Sequence, residues 1–170
     1  MKTITSTAED HRLAWLTALA ITIHVAEAVL PSPLPGVKPG LANLVVIMVM
    51  LQFGWKDAAW VSLLRVLAGS LLLGTFLTPT FLLSLAGAMC SLAVLWLSQW
   101  LPGRGFSALG LSLLAALAHM SGQFALAYLL FIPHPGLLVL LPVLLTMATI
   151  FGVFNGIILL MARERLQLSS

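Results

Sequence analysis

The sequence predicts an all-α membrane protein, a bundle of six transmembrane helices with both termini in the cytoplasm. Three observations lead there. The chain of 170 residues is 61% hydrophobic and 8% charged, with a mean hydropathy of +1.10. A water-soluble domain carries about a quarter of its residues as Asp, Glu, Lys and Arg. Six apolar segments, roughly 13–30, 39–54, 57–74, 80–101, 106–132 and 136–161, are separated by turn residues. The basic residues then fall almost entirely on one side of the resulting topology.

A short tail, 1–12, holds Lys2 and Arg12. Arg12, the apolar stretch 13–23 and the "AEA" at 26–28 imitate a cleavable signal. Thr17, His24 and Glu27 suit a retained helix better, and more membrane-type sequence follows. The first break, "PSPLPGVKPGLAN" at 31–43, is dense in proline and glycine. Proline lacks the amide proton a helix needs, and glycine accepts backbone angles a helix does not use. Segments two and three approach the lower limit of about 20 residues for a span. The turn around "WKD" at 55–57 joins them, so they read as two short or tilted helices or as a partly re-entrant hairpin. Gly54, "TPT" at 78–80, "PGRG" at 102–105 and "PHPG" at 133–136 supply the remaining breaks.

With six spans, Lys2, Arg12, Lys56, Arg104, Arg163 and Arg165 share one side, and Lys38 alone lies in a loop opposite. The positive-inside rule makes the first side cytoplasmic. The five tryptophans sit near those same ends, at the depth an amphipathic ring prefers. The expected organisation is a cytoplasmic N-terminal tail at 1–12, a six-helix transmembrane domain at 13–161 and a cytoplasmic C-terminal tail at 162–170. The lipid bilayer is the first partner of this multi-pass protein.

Several function classes are excluded. A net charge of +3 spread over segment flanks is not a nucleic-acid surface. Cys90, the single cysteine, sits in an apolar run and reads as a buried, inert thiol. "GRGFSALG" at 103–110 lacks the Gly-Lys-Ser/Thr ending of a phosphate-binding loop. No metal-ligand spacing, cofactor motif or catalytic constellation stands out. The only aspartates, Asp10 and Asp57, lie at predicted cytoplasmic ends, so the chain by itself is no Mg²⁺-dependent prenyltransferase.

What remains are polar residues in apolar helices, where an ionised side chain costs about 2.5–3.5 kcal/mol or more unless it has a partner or a function. Glu27, one turn after His24, either lines an outward-facing pocket or snorkels to the interface. Lys38 and Asn43 either belong to a lid or to a solvated loop. Arg65 follows a small-residue stripe (Ala58, Ser62, Arg65, Gly69) and either pairs internally or binds a ligand. Ser112, Ala116, His119 and Gln123 stack on one face of helix five. Glu27, Lys38, Asn43, His119 and Gln123 all fall in the outer half of the bundle, a set suited to a small polar or amphipathic molecule. Phe81, Phe124 and Tyr128 are the expected apolar walls. Ala14 and Ala18 form an A-x-x-x-A about 220° round helix one from Glu27, while Gly152 and Gly156 repeat the spacing on helix six.

"PSPLPGVKPGLAN", "LLRVLAGSLLLG" at 63–74, "PTFLLSLAG" at 79–87 and "AHMSGQ" at 118–123 resemble, in that order, motifs of the Gx-transporter family. Members of that family are often labelled heptaprenyl diphosphate synthase component I. The resemblance covers most of 13–160; Pro39 departs from it, standing where Leu is more usual. The family is itself similar to the substrate-binding S components of energy-coupling-factor (ECF) transporters. The resemblance implies an S-component-like bundle with an outward-facing pocket and loop 31–43 as its lid. It further implies that Ala14 and Ala18 dock a transmembrane coupling protein, with ATPase subunits as separate polypeptides. Two other readings stay open: a non-catalytic membrane component of prenyl diphosphate or quinone synthesis, and a structural subunit of a membrane redox complex.

Overall fold

A computed structural model describes residues 7–29, 40–100 and 106–168, with side chains to Arg165. Lys38 and most of loop 31–43 lie outside the described residues, as does Arg104. Six α-helices follow in order: α1 Ala8–Val29, α2 Leu41–Phe53, α3 Trp55–Leu72, α4 Pro79–Ser98, α5 Ala108–Leu126 and α6 Leu141–Leu168. A π-turn, Ala127–Phe131, extends α5, and a 3₁₀ turn, Pro135–Leu140, leads into α6. Among the described residues all regular structure is helical.

Local chemistry sets the helix ends. Thr7 Oγ1 accepts the Asp10 N–H at 3.2 Å while Asp10 Oδ2 accepts the Thr7 N–H at 2.7 Å, a reciprocal cap that starts α1. Helix therefore begins inside the expected tail 1–12, and α6 likewise continues through 162–168. Pro79 occupies the first turn of α4, where its missing N–H is harmless. Ser107 caps α5 by accepting the Gly110 N–H at 3.1 Å. The junction of α2 and α3 is Gly54 alone, at φ 101°, ψ 176°, a backbone state that a side chain would strain.

Four helical stretches are long and apolar enough to cross a bilayer: Ala8–Val29, Pro79–Ser98, Ala108–Phe131 and Pro135–Arg165. α3 has the length but carries Lys56, Asp57 and Arg65. α2, at 13 residues, reaches about 20 Å against a hydrocarbon core of about 30 Å. It is also the most enclosed element. Ala42, Val45, Val46, Ile47 and Val49 are fully buried, because α2 threads between α1, α3, α5 and α6. A helix wrapped in protein can stop short of the bilayer faces without exposing its ends to lipid.

Around α2 the other helices form two packed groups, α4–α5–α6 and α1–α3, joined by α3 against α4. Gly152 and Gly156 of α6 face α5 rather than a partner protein: a Cβ on Gly156 would stand 2.8 Å from Leu109 Cα. The main apolar core gathers Val46, Val49, Val61, Leu92, Leu95, Ala108, Leu111 and Leu159 at one end of the bundle. The tryptophans ring this same end, with Trp15, Trp60, Trp96 and Trp100 exposed and the Trp96 ring 5.7 Å from that of Trp100. Large apolar side chains such as Leu71, Leu129 and Val139 point outward, as a lipid-facing surface requires. Cys90 differs from expectation. It is exposed on α4, at the seam where Gly122 of α5 comes so close that a Cβ there would lie 2.5 Å from its Sγ.

Gly156→Ala is expected to push α5 from α6 and to cost about 1–3 kcal/mol of stability. Gly110→Ala, whose new methyl would meet nothing closer than 3.4 Å, should shift stability by less than about 0.5 kcal/mol. Thermal unfolding in detergent compares the two.

Candidate binding site

The last turns of α1 deliver His24 and Glu27 to the end of the bundle opposite the apolar core. Glu27 is 5% exposed. Its carboxylate accepts the N–H of Leu41 at 2.7 Å and of Ala42 at 3.4 Å. These are orphan donors at the start of α2, which no side chain of its own N-cap, Gly40, can satisfy. Gly40 itself sits at φ 72°, and its backbone approaches Asn155 of α6. Glu27 thus bridges over the 30–39 connection and ties α1 to α2.

One turn into α2, Asn43 links three helices. Its Oδ1 accepts from Arg65 Nη2 at 3.5 Å, and its Nδ2 donates to Ser91 Oγ of α4 at 3.4 Å. Both contacts are long. Arg65 is 3% exposed, its Nε is buried without a hydrogen-bond partner, and Glu27 attracts it through space. One turn further along α3, Gly69 leaves the room that the His24 ring fills.

The predicted face of α5 forms the opposite wall. Gln123 Nε2 lies 3.1 Å from His119 Nε2. The two side chains hydrogen-bond, with donor and acceptor set by the ring tautomer. Gly87 of α4 makes the space for this pair, since a Cβ there would come within 2.7 Å of His119 Nε2. Ser112 is engaged elsewhere: its hydroxyl donates to Gly152 O at 2.8 Å and holds α6.

Together these side chains enclose a cavity of about 310 Å³ lined from all six helices. Glu27, Asn43, Arg65, His119 and Gln123 all face it; Lys38 is outside the described residues. A side lobe of about 160 Å³ shares His24, Thr80 and Ser84. The apolar lining is not the one expected. Leu44, Ile47, Val66, Leu83 and Phe151 supply it, whereas Phe81 faces the side lobe and packs on Phe76 at 5.0 Å. Phe124 and Tyr128 stack on one another 6.5 Å apart. At 100° per residue they lie about 140° and 180° round α5 from His119, which turns both away from the chamber.

Sequence reasoning missed Asn155 and the Thr80–Ser84 pair, all of which line the cavity. Asn155 had a signal, a buried amide within the apolar run "IFGVFNGIILL". Thr80 and Ser84 had only their one-turn spacing. Ala14 and Ala18 are exposed on the outer face of α1, turned away from Glu27.

The family model described as "Heptaprenyl diphosphate synthase component I" matches residues 16–161. Nothing among curated proteins matches the chain. Among solved structures, the S component of a bacterial ECF transporter superposes with a TM-score of 0.58 at 15% identity, over 92% of this chain and 96% of that one. At that identity the likeness concerns the fold.

Glu27→Ala, which strips the cap from α2, is expected to cost about 1–2 kcal/mol and to speed hydrogen exchange at the Leu41 and Ala42 amides. Gly87→Ala should displace the His119 ring, read out as a changed His119 resonance in NMR, while far-UV circular dichroism stays helical.

Proposed function

The chain belongs to the heptaprenyl diphosphate synthase component I family, and from that premise we propose that it is the substrate-binding membrane subunit of an ECF-like importer. It captures a small polar or amphipathic molecule from the outer side of a bacterial inner membrane. The observation that carries this reading is the convergence of polar groups from all six helices, with Glu27, Asn43, Arg65 and Asn155 buried among them, on one chamber of about 310 Å³. A volume near the lower bound for ligand pockets suits a small guest.

All six helices cross the membrane in this reading, α2 inside a sheath of its neighbours, and both termini are cytoplasmic. Lys56, Arg12, Arg163 and Arg165 lie at the end away from the chamber, so the positive-inside rule aims the chamber outward. The apolar core beneath it closes the cytoplasmic side. Glu27, Asn43, Arg65, His119 and Gln123 bind the guest, and the 31–43 loop, with Lys38, covers it. The exposed face of α1 with Ala14 and Ala18 meets a transmembrane coupling protein, and separate ATPase subunits supply the energy. The subunit itself is not an enzyme and needs no cofactor. The S-component fold of the solved relative supports this division of labour.

The family's description favours a second reading, a non-catalytic membrane component that works with a soluble prenyl diphosphate synthase. Native mass spectrometry of the gently purified protein separates the two. A bound small molecule, lost in His119→Ala, is the expected outcome. Co-purification of an aspartate-rich synthase with an empty chamber would replace the first reading by the second.

Ala14→Leu with Ala18→Leu is expected to weaken association with the coupling protein at least tenfold while ligand-induced thermal stabilisation is unchanged. Loss of both together would place these alanines in helix packing instead.

A further inference from the structure

Arg65 is the only fixed cation among the described residues that line the chamber. A guanidinium offers five N–H donors in a planar fork. Here Nη2 makes one long contact, at 3.5 Å to Asn43, and the buried Nε makes none. So much unused donor capacity on a group this deeply enclosed is costly unless something else occupies the fork. Among the described contacts Glu27 does not occupy the fork: its oxygens accept the Leu41 and Ala42 amides, and it acts on Arg65 through space.

We infer that the guest is a small monocarboxylate whose two oxygens meet Arg65, an assignment that rests on the capture reading above. The under-used fork selects the class, and the charge on the described walls agrees with it. Arg65 contributes +1, the start of α2 about +0.5 as a helix N-terminus, and Glu27 −1, with His24 and His119 counted neutral. The empty chamber is therefore about half a charge positive. A monoanion reverses that to about half a charge negative, a small residue for a site partly shielded from water. A phosphate monoester or diphosphate leaves about −1.5 or more, uncompensated by any cation on the described walls. The carboxylate also matches the bidentate geometry of the fork. Beyond the anionic end, Ile47, Val66, Leu83 and Phe151 offer apolar contact, and the Gln123–His119 pair with Asn155 receives a neutral polar group.

The test uses three probes that share a phenyl ring on the full-length protein in detergent: benzoate, benzamide and phenyl phosphate at millimolar concentration. Benzoate is expected to raise the unfolding temperature, with benzamide weaker and phenyl phosphate without effect. Arg65→Gln should lower the benzoate affinity roughly 30-fold or more, and Arg65→Lys, which keeps the charge but not the fork, should lose less. Should Arg65→Gln fail to fold, the ranking of the probes on the unaltered chain decides. Benzamide or phenyl phosphate equal to or better than benzoate overturns the carboxylate assignment and leaves capture standing. So does benzoate binding that is unchanged in Arg65→Gln. Silence from all three probes overturns the assignment too, and an empty chamber by native mass spectrometry would then remove capture as well.

Discussion

The bond between Glu27 and the first amides of α2 is the contact on which the rest of the molecule depends. α2 begins half-buried beside the chamber, with orphan amide donors that need partners. A glycine in the left-handed region precedes it and brings no side chain of its own. A carboxylate from the preceding helix resolves that problem. In doing so it fixes where α2 stands relative to α1, hence where Asn43 points, hence what Arg65 can reach. Three of the groups around the chamber are placed by one hydrogen-bonded junction.

The bundle is asymmetric along its axis for a related reason. Toward the tryptophan-rich end, aliphatic side chains of α2, α3, α4 and α5 close on one another. Toward the other end, the same helices bear Glu27, Asn43, Arg65, His119 and Gln123, whose polar heads do not pack into an apolar solid and leave a void among them. Glycine shapes both the walls and their contents. Gly69 and Gly87 hold back their helices' surface so that the His24 and His119 rings fit, and Gly152 and Gly156 let α6 lie almost backbone to backbone on α5. Small residues are the usual means of close approach where lipid offers no hydrophobic drive. A closed apolar half and a polar, hollow half divide the bundle along its axis.

Much of this was legible in the residues themselves. The spacing of Ser112, Ala116, His119 and Gln123 specifies one helical face, and that face lines the chamber. Glu27 and Arg65 stood out because charge in an apolar helix demands an explanation. The aromatic walls were not legible. Phe124 and Tyr128 are near His119 in the chain but point elsewhere, and proximity in sequence says nothing about rotation unless the helical period is applied to each residue. Asn155 is less conspicuous because a single neutral amide costs less to bury than a charge does.

Composition, segment length and charge placement determined by themselves that the chain is a helical membrane protein with a sided distribution of polar groups. These properties follow from the solvent, since apolar helices satisfy their backbone internally in a bilayer and each charge there is penalised individually. Only the tertiary structure decided that α2 is an enclosed core element rather than an ordinary span, that Glu27 caps it, and that Cys90 faces outward. Those outcomes depend on which helix lies against which and at what rotation. Pairwise packing of that kind is set by shape and close approach between distant segments, a relation that no local pattern of residue types records.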